Sequence, residues 1–110
     1  MTNKAGYHKF LRVHKGVCYF ACVSVRCLPG VGIIVAPSVT DEDWRIGALS
    51  GAAKALSVAG ATCGIEVLSI EGTSVDTTAA AVEHAAAMAV WDALGFKPDV
   101  SALESLEKLT

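Results

Sequence analysis

The residues of this 110-residue chain best equipped for chemistry are four cysteines and three histidines. Cys18, Cys22 and Cys27 are separated by three and four residues, and Cys63 stands apart. Zinc knuckles and dithiol redox pairs use a C-x2-C spacing, which is absent. If residues 18–27 form a strand, Cys18 and Cys22 share a face but lie roughly 13 Å apart at ~3.3 Å per residue. That is beyond the reach of a disulfide. The four thiols are therefore read as reduced, small hydrophobes, with metal binding as the alternative; no metal site is assigned. His8 and His14 sit among lysines near a first hairpin, and His84 reads as a partly exposed residue in mid-helix beside Glu83. No local Ser/His/Asp or Cys/His order is present. Glu66 and Glu71 are an odd number of residues apart, which on a regular strand sends them to opposite faces and rules out a paired-carboxylate site. No G-x-x-x-x-G-K-[ST] segment occurs, so no nucleotide site is expected. The residues imply no catalytic constellation and no cofactor, and a non-enzymatic role follows as the expectation.

The elements that would position these side chains can be read from period and punctuation. Tyr7–Val13 suits a strand, and His14-Lys15-Gly16 a turn. Val17–Leu28 alternates, with Val17, Tyr19, Ala21, Val23, Val25 and Cys27 on one face. Pro29-Gly30 breaks it, and Val31–Ala36 is a short third strand, giving an antiparallel three-stranded meander. Thr40 reads as the cap of a first helix that ends at Gly60. Gly47 and Gly51 each weaken that helix by about 1 kcal/mol relative to alanine, which implies that something packs closely against its backbone. Gly64–Glu71 is a fourth strand, with Ile65 and Val67 on one face and Leu68 and Ile70 on the other. Asp76 reads as the cap of a second helix over about Thr77–Leu94, ended by Gly95. The order β-β-β-α-β-α predicts an α+β fold: a four-stranded sheet covered on one face by two helices. Residues 1–98 form the domain. Residues 99–110 form an amphipathic tail with Leu103, Leu106 and Leu109 at spacing three.

Charge is unevenly spread. Residues 1–40 hold no acid and five bases, whereas the remainder holds eleven acids against four bases, so the two parts carry +5 and −7. Lys9, Arg12, His14, Lys15 and Arg26 are the candidates for an RNA-facing surface; a basic hairpin that complements acidic helices is the alternative. If the odd positions of the second strand face the helices, Phe20 and Cys22 face away. They then form an apolar interface candidate on the uncovered sheet face, unless Leu103, Leu106 and Leu109 fold back over it. Hydrophobic residues make up 53% of the chain, with much of that alanine, yet no uninterrupted run of 18 apolar residues predicts a membrane span. The first residues do not read as a signal peptide, and a cytoplasmic location is the expectation.

Three blocks go beyond pattern. They are Ala21-Cys-Val-Ser-Val-Arg-Cys-Leu-Pro29; Gly47–Gly64 with its Ala-Ala-Lys-Ala-Leu run; and Val75-Asp-Thr-Thr followed by the alanine-rich run to Ala89. Together they resemble the fourth domain of elongation factor G and its relatives over most of residues 8–95. The resemblance implies the ribosomal-protein type of split β-α-β fold, with a left-handed β-α-β crossover, an exception to the usual rule. It also implies a stand-alone, translation-factor-like module associated with RNA or the ribosome. The departures fall at the family's tip. The glycine- and arginine-rich loop is reduced here to His14-Lys15-Gly16-Val17-Cys18. Gly72-Thr73-Ser74-Val75 is shorter than the family's loop and lacks its histidine. Val39–Trp44 replaces a Gly-Gly-x-Ile-Pro segment. The alternative is a module for protein–protein interaction or homo-oligomerisation, docking itself or another protein through the open sheet face, with no translation role.

Overall fold

A computed structural model of the chain describes residues 4–106. It has the α+β order β1 (Ala5–His14), β2 (Val17–Leu28), β3 (Ile33–Val35), α1 (Glu42–Ala59), β4 (Gly64–Glu71) and α2 (Ala79–Leu94), and the tail adds a short α3 (Val100–Glu104). β1 and β2 form a hairpin closed at Lys15-Gly16, both with positive φ (52° and 78°). That type I′ geometry matches the right-handed twist of paired strands and explains the glycine. Along β2, Ala21, Val23 and Val25 are fully buried, so the period-2 face is the one that meets the helices. Among the described residues, no helix is long and apolar enough to cross a membrane.

β3 departs from the expected meander. The sheet order is β1-β2-β4-β3, and β3 pairs with β4 in parallel, from Ile33 opposite Ile65 to Val35 opposite Val67. The free edge of β2 is taken by β4, in a ladder from Cys22 opposite Glu71 to Leu28 opposite Gly64. A three-residue strand cannot compete with a pairing of that length. Gly30 and Gly32, at φ 90° and 111°, carry the chain beyond a tight turn to the far side of β4. β4 also bulges. Ser24 faces Ser69 but Val25 faces Val67, which leaves Leu68 without a partner. The bulge shifts the alternation by one residue. Ile70 consequently lies opposite Val23 and packs on the core, not on the face opposite Val67 that strict alternation predicts.

Both expected helix caps move. Asp41, not Thr40, caps α1, its carboxylate accepting from the Trp44 backbone N–H at 3.1 Å. A carboxylate next in line is the better acceptor for a helix N-terminus. α2 is capped by Thr78, whose hydroxyl accepts from Ala81 N–H at 3.1 Å, not by Asp76. Asp76 and Thr77 are used to pin the β4–α2 loop to the sheet. The Asp76 carbonyl accepts from Phe20 N–H at 3.0 Å, and the Thr77 hydroxyl donates to the Phe20 carbonyl at 2.6 Å. Gly60 and Gly95 end α1 and α2 in the left-handed conformation, as expected.

α2 lies between β1–β2 on one side and α1 on another, and ten of its sixteen residues are buried. It meets α1 along a seam of small residues. A Cβ on Gly47 would fall on the Ala79 carbonyl, and one on Gly51 on the Glu83 carbonyl. The close approach that the glycines imply is thus to the backbone of α2. The two tryptophans tie the seam from both sides: Trp44 Nε1 donates to the Thr77 carbonyl at 3.1 Å, and Trp91 Nε1 to the Ala55 carbonyl at 3.0 Å.

In an isolated helix, Gly51→Ala would stabilise by about 1 kcal/mol. Here the added methyl meets the Glu83 carbonyl, and the substitution is expected to destabilise by about 1–3 kcal/mol overall. The measurement is the urea midpoint at constant slope. A midpoint at or above that of the parent chain would mean that the two helices do not meet through their backbones.

Candidate interaction surface

The helices cover one side of the sheet, and the register fixes what faces the other. On β1 the residues facing away are Tyr7, Lys9, Leu11 and Val13. They lie opposite Ser24, Cys22, Phe20 and Cys18 of β2. β4 adds Glu66 opposite Arg26, Ser69 opposite Ser24 and Glu71 opposite Cys22. The bulge therefore places Glu66 and Glu71 on the same face, correcting the expectation that they diverge. Tyr7, Leu11 and Val13 are 51%, 61% and 71% exposed, and Phe20 is half-buried. An open depression of about 350 Å³ is lined by residues of both sides of the sheet, Tyr7 and Ser24 from this face and Gly6, Val25 and Asp92 from the helix side. Cys22 shares the face but is 4% exposed. The neighbouring Cys22 thiol, with burial and the Glu71 carboxylate, pushes the Tyr7 pKa up.

The structure does not bring the five basic candidates together. Lys9 and Arg26 lie on the open face. Lys9 Nζ stands 6.0 Å from the centre of the Phe20 ring, at the outer limit of a cation–π contact. Arg26 is engaged by Glu66 at 2.6 Å. Arg12 and His14 alternate with Lys9 and so point to the opposite side, where the Arg12 guanidinium lies 5.2 Å from the Phe10 ring centre. Lys15 occupies the turn.

The described part of the tail, residues 99–106, does not cover the open face. Asp99 caps α3 by accepting from Ala102 N–H at 2.8 Å. Ala102 and Leu106 are 8% and 3% exposed and join the core, with Leu103 packed beside them. The Ser105 carbonyl accepts from Lys54 of α1 at 3.4 Å, and Lys54 is also paired with Glu83 of α2 at 3.1 Å. Leu106 therefore belongs to the core on the helix side, with Leu103 partly buried against it; Leu109 lies outside the described residues. The Gly95 stop and the packing of Phe96 on Trp91, with ring centres 5.8 Å apart, send the chain that way. Spacing alone shows that the leucines share a side, but not which layer receives them.

No protein-family model and no curated protein matches the chain. Among solved structures, a Thermus thermophilus protein is similar over 82% of this chain, with a TM-score of 0.65 and 18% identity. The chain spans 15% of that protein's length. At this identity the likeness shows a shared fold.

One polar cluster lies on the helix side of β1. His84, expected to be partly exposed, is 6% exposed, with its ring centre 4.3 Å from that of Phe10. α2 is packed between the sheet and α1, which leaves little of its middle turns exposed. His8 lies 6.4 Å from His84 between ring centres and borders a depression of about 200 Å³ with Met88, Trp91 and Phe96. Asp92, nearby, accepts from Tyr7 N–H at 3.0 Å. Burial pushes the His8 pKa below the ordinary value of 6.5, outweighing the Asp92 carboxylate, which favours the charged form. A lowered folded-state pKa means that the unfolded chain binds more protons near that value. The stability tied to neutral His8 is then fully present above about pH 7.5 and declines as pH falls through 6.5. The urea midpoint is expected to drop between those conditions and about pH 5.5, and to drop less in His8→Gln. An equally steep drop in the variant would assign the pH dependence to other groups.

Proposed function

We propose that the chain is a non-enzymatic binding module on a scaffold like the fourth domain of elongation factor G, and that its working surface is the open sheet face, which docks protein. The observation that carries this reading is the exposed apolar row of Tyr7, Leu11 and Val13 beside Phe20 on a face that neither helix nor the described tail covers. Leu11, Val13 and Phe20 adjoin, with Tyr7 beyond Lys9, and exposed apolar patches mark interaction sites. The charge on the face points the same way. Its strands carry Lys9 and Arg26 against Glu66 and Glu71, which leaves no net charge. RNA affinity comes largely from released counterions, with log K falling by about 0.7 per log salt for each phosphate neutralised on a single strand. A neutral face has little of that term to offer.

A second reading, association with RNA or the ribosome, is favoured by the β1–β2 hairpin, where Arg12, His14 and Lys15 cluster near the turn in a segment without acids. The two readings separate by experiment. Affinity capture is run with the parent chain, Leu11→Asp and Lys15→Glu, alongside co-sedimentation with ribosomes at about 50 mM and about 200 mM salt. Protein docking predicts a specific partner retained by Lys15→Glu and lost by Leu11→Asp, with no salt-sensitive ribosome association. Ribosome binding that falls with salt and with Lys15→Glu, but not with Leu11→Asp, would replace this reading with the second.

A further inference from the structure

On the reading of the open sheet face as a docking surface, we propose that its occupant is a second copy of the chain, stacked face to face about a two-fold axis that runs along β2. The argument begins with one row across the sheet. Lys9 of β1 lies opposite Cys22 of β2, and Cys22 lies opposite Glu71 of β4. A cation and a carboxylate thus flank a near-buried cysteine at equal strand spacing, and both are exposed. Neither forms a salt bridge among the described residues, whereas Arg26 and Glu66, the other two charges of the face, neutralise each other within the chain.

A two-fold axis in the interface and parallel to β2 exchanges left for right. It sets β1 of one copy over β4 of the other, so that Lys9 faces the partner copy's carboxylate at position 71 and Glu71 faces the partner copy's ammonium at position 9. Face-packed sheets lie about 10 Å apart, a gap that a lysine and a glutamate side chain span together. The contact is isologous, so the same pair forms twice. In the next row Tyr7 lies over the serine at position 69 of the other copy. Phe20, Cys22 and Ser24 lie on the axis and meet their own equivalents, and Arg26, further along it, is neutralised by Glu66 of its own chain. The other two-fold axis, across the strands, sets β1 over β1 and β4 over β4, and so gives Lys9 no carboxylate and Glu71 no ammonium across the interface. The Lys9–Glu71 pairs therefore form in one orientation only.

The test is sedimentation equilibrium of the full chain together with Lys9→Glu, Glu71→Lys and the double exchange Lys9→Glu/Glu71→Lys, with circular dichroism to check folding. Both positions are exposed, so all three variants are expected to fold. The parent is expected to dimerise in the micromolar range. Each single reversal faces two like-charge pairs and is expected to weaken the dimer by about tenfold or more, and the double exchange to restore it. A parent that stays monomeric at several hundred micromolar would overturn the inference. So would a dimer indifferent to the single reversals, or one that the double exchange fails to restore. Failure of the underlying reading looks different: no protein partner of any kind, self or other, would be lost on Leu11→Asp. A monomeric parent that captures another protein through Leu11 would leave the docking face standing and remove only the second copy.

Discussion

The fold depends on the closeness of α1 and α2. Much of the core is alanine, and an alanine buries little area, so it contributes packing only when its neighbours come within van der Waals contact; a gap of under an ångström forfeits much of that attraction. Gly47 and Gly51 remove the side chains that would hold the helices apart and let α1 rest on the carbonyls of Ala79 and Glu83. On the other side of α2, Gly6 does the same for the sheet, where a Cβ would fall on the Ala89 carbonyl. α2 is thus gripped through its backbone from two directions. Each glycine weakens its own element when considered alone. The cost is offset because a core of small residues can reach interior density only in this way.

The same seam determines what is left uncovered. With α1, α2 and the described tail all gathered on one side, none of these elements screens the far side of the sheet. The tail residues that might have done so are taken into the helix layer by the Phe96–Trp91 contact and the Lys54 hydrogen bond to Ser105. The bulge at Leu68 then decides what the far side carries. Without it, Glu71 would point toward the helices and Ile70 away from them. With it, Ile70 enters the core opposite Val23, and Glu71 joins the row of Lys9 and Cys22. One unpaired residue therefore completes the core at the end of β4 and balances the charge of the open face.

Much of this is legible in the sequence, and the misses share a cause. The strands, both long helices, their glycine stops and the buried face of β2 follow from local period and punctuation, which depend on near neighbours. The close approach at Gly47 and Gly51 can be inferred because glycine in mid-helix is costly without a reason. What cannot be read are choices between partners. β3 offers the same apolar pattern to β2 as to β4, and only the competing length of the β2–β4 ladder decides. Thr40 and Asp41, and Asp76 and Thr78, are all residue types that cap helices; Thr77 and Asp76 are withdrawn from capping because they bond to Phe20, 57 residues from Thr77. His84 reads as exposed when its position is judged against one buried stripe, whereas α2 is buried on several sides. The open-face candidates Phe20 and Cys22 follow from alternation alone. The pairing of Lys9 with Glu71 across Cys22 does not, because it needs both a register and a bulge.

These dependencies also explain why a shared fold says little about action here. The seam, the capped loop and the glycine stops are internal, and a chain that retains them retains the architecture at low sequence identity. The open face draws on none of them. The side chains of Tyr7, Lys9, Leu11 and Glu71 point away from the α1–α2 seam, so they are free to vary without cost to the scaffold. The hairpin turn at Lys15-Gly16 is similarly free, since its backbone geometry needs a glycine but no particular charge. The proposed roles rest on exposed residues of the sheet face and the tip, and there the likeness to a solved structure carries no weight.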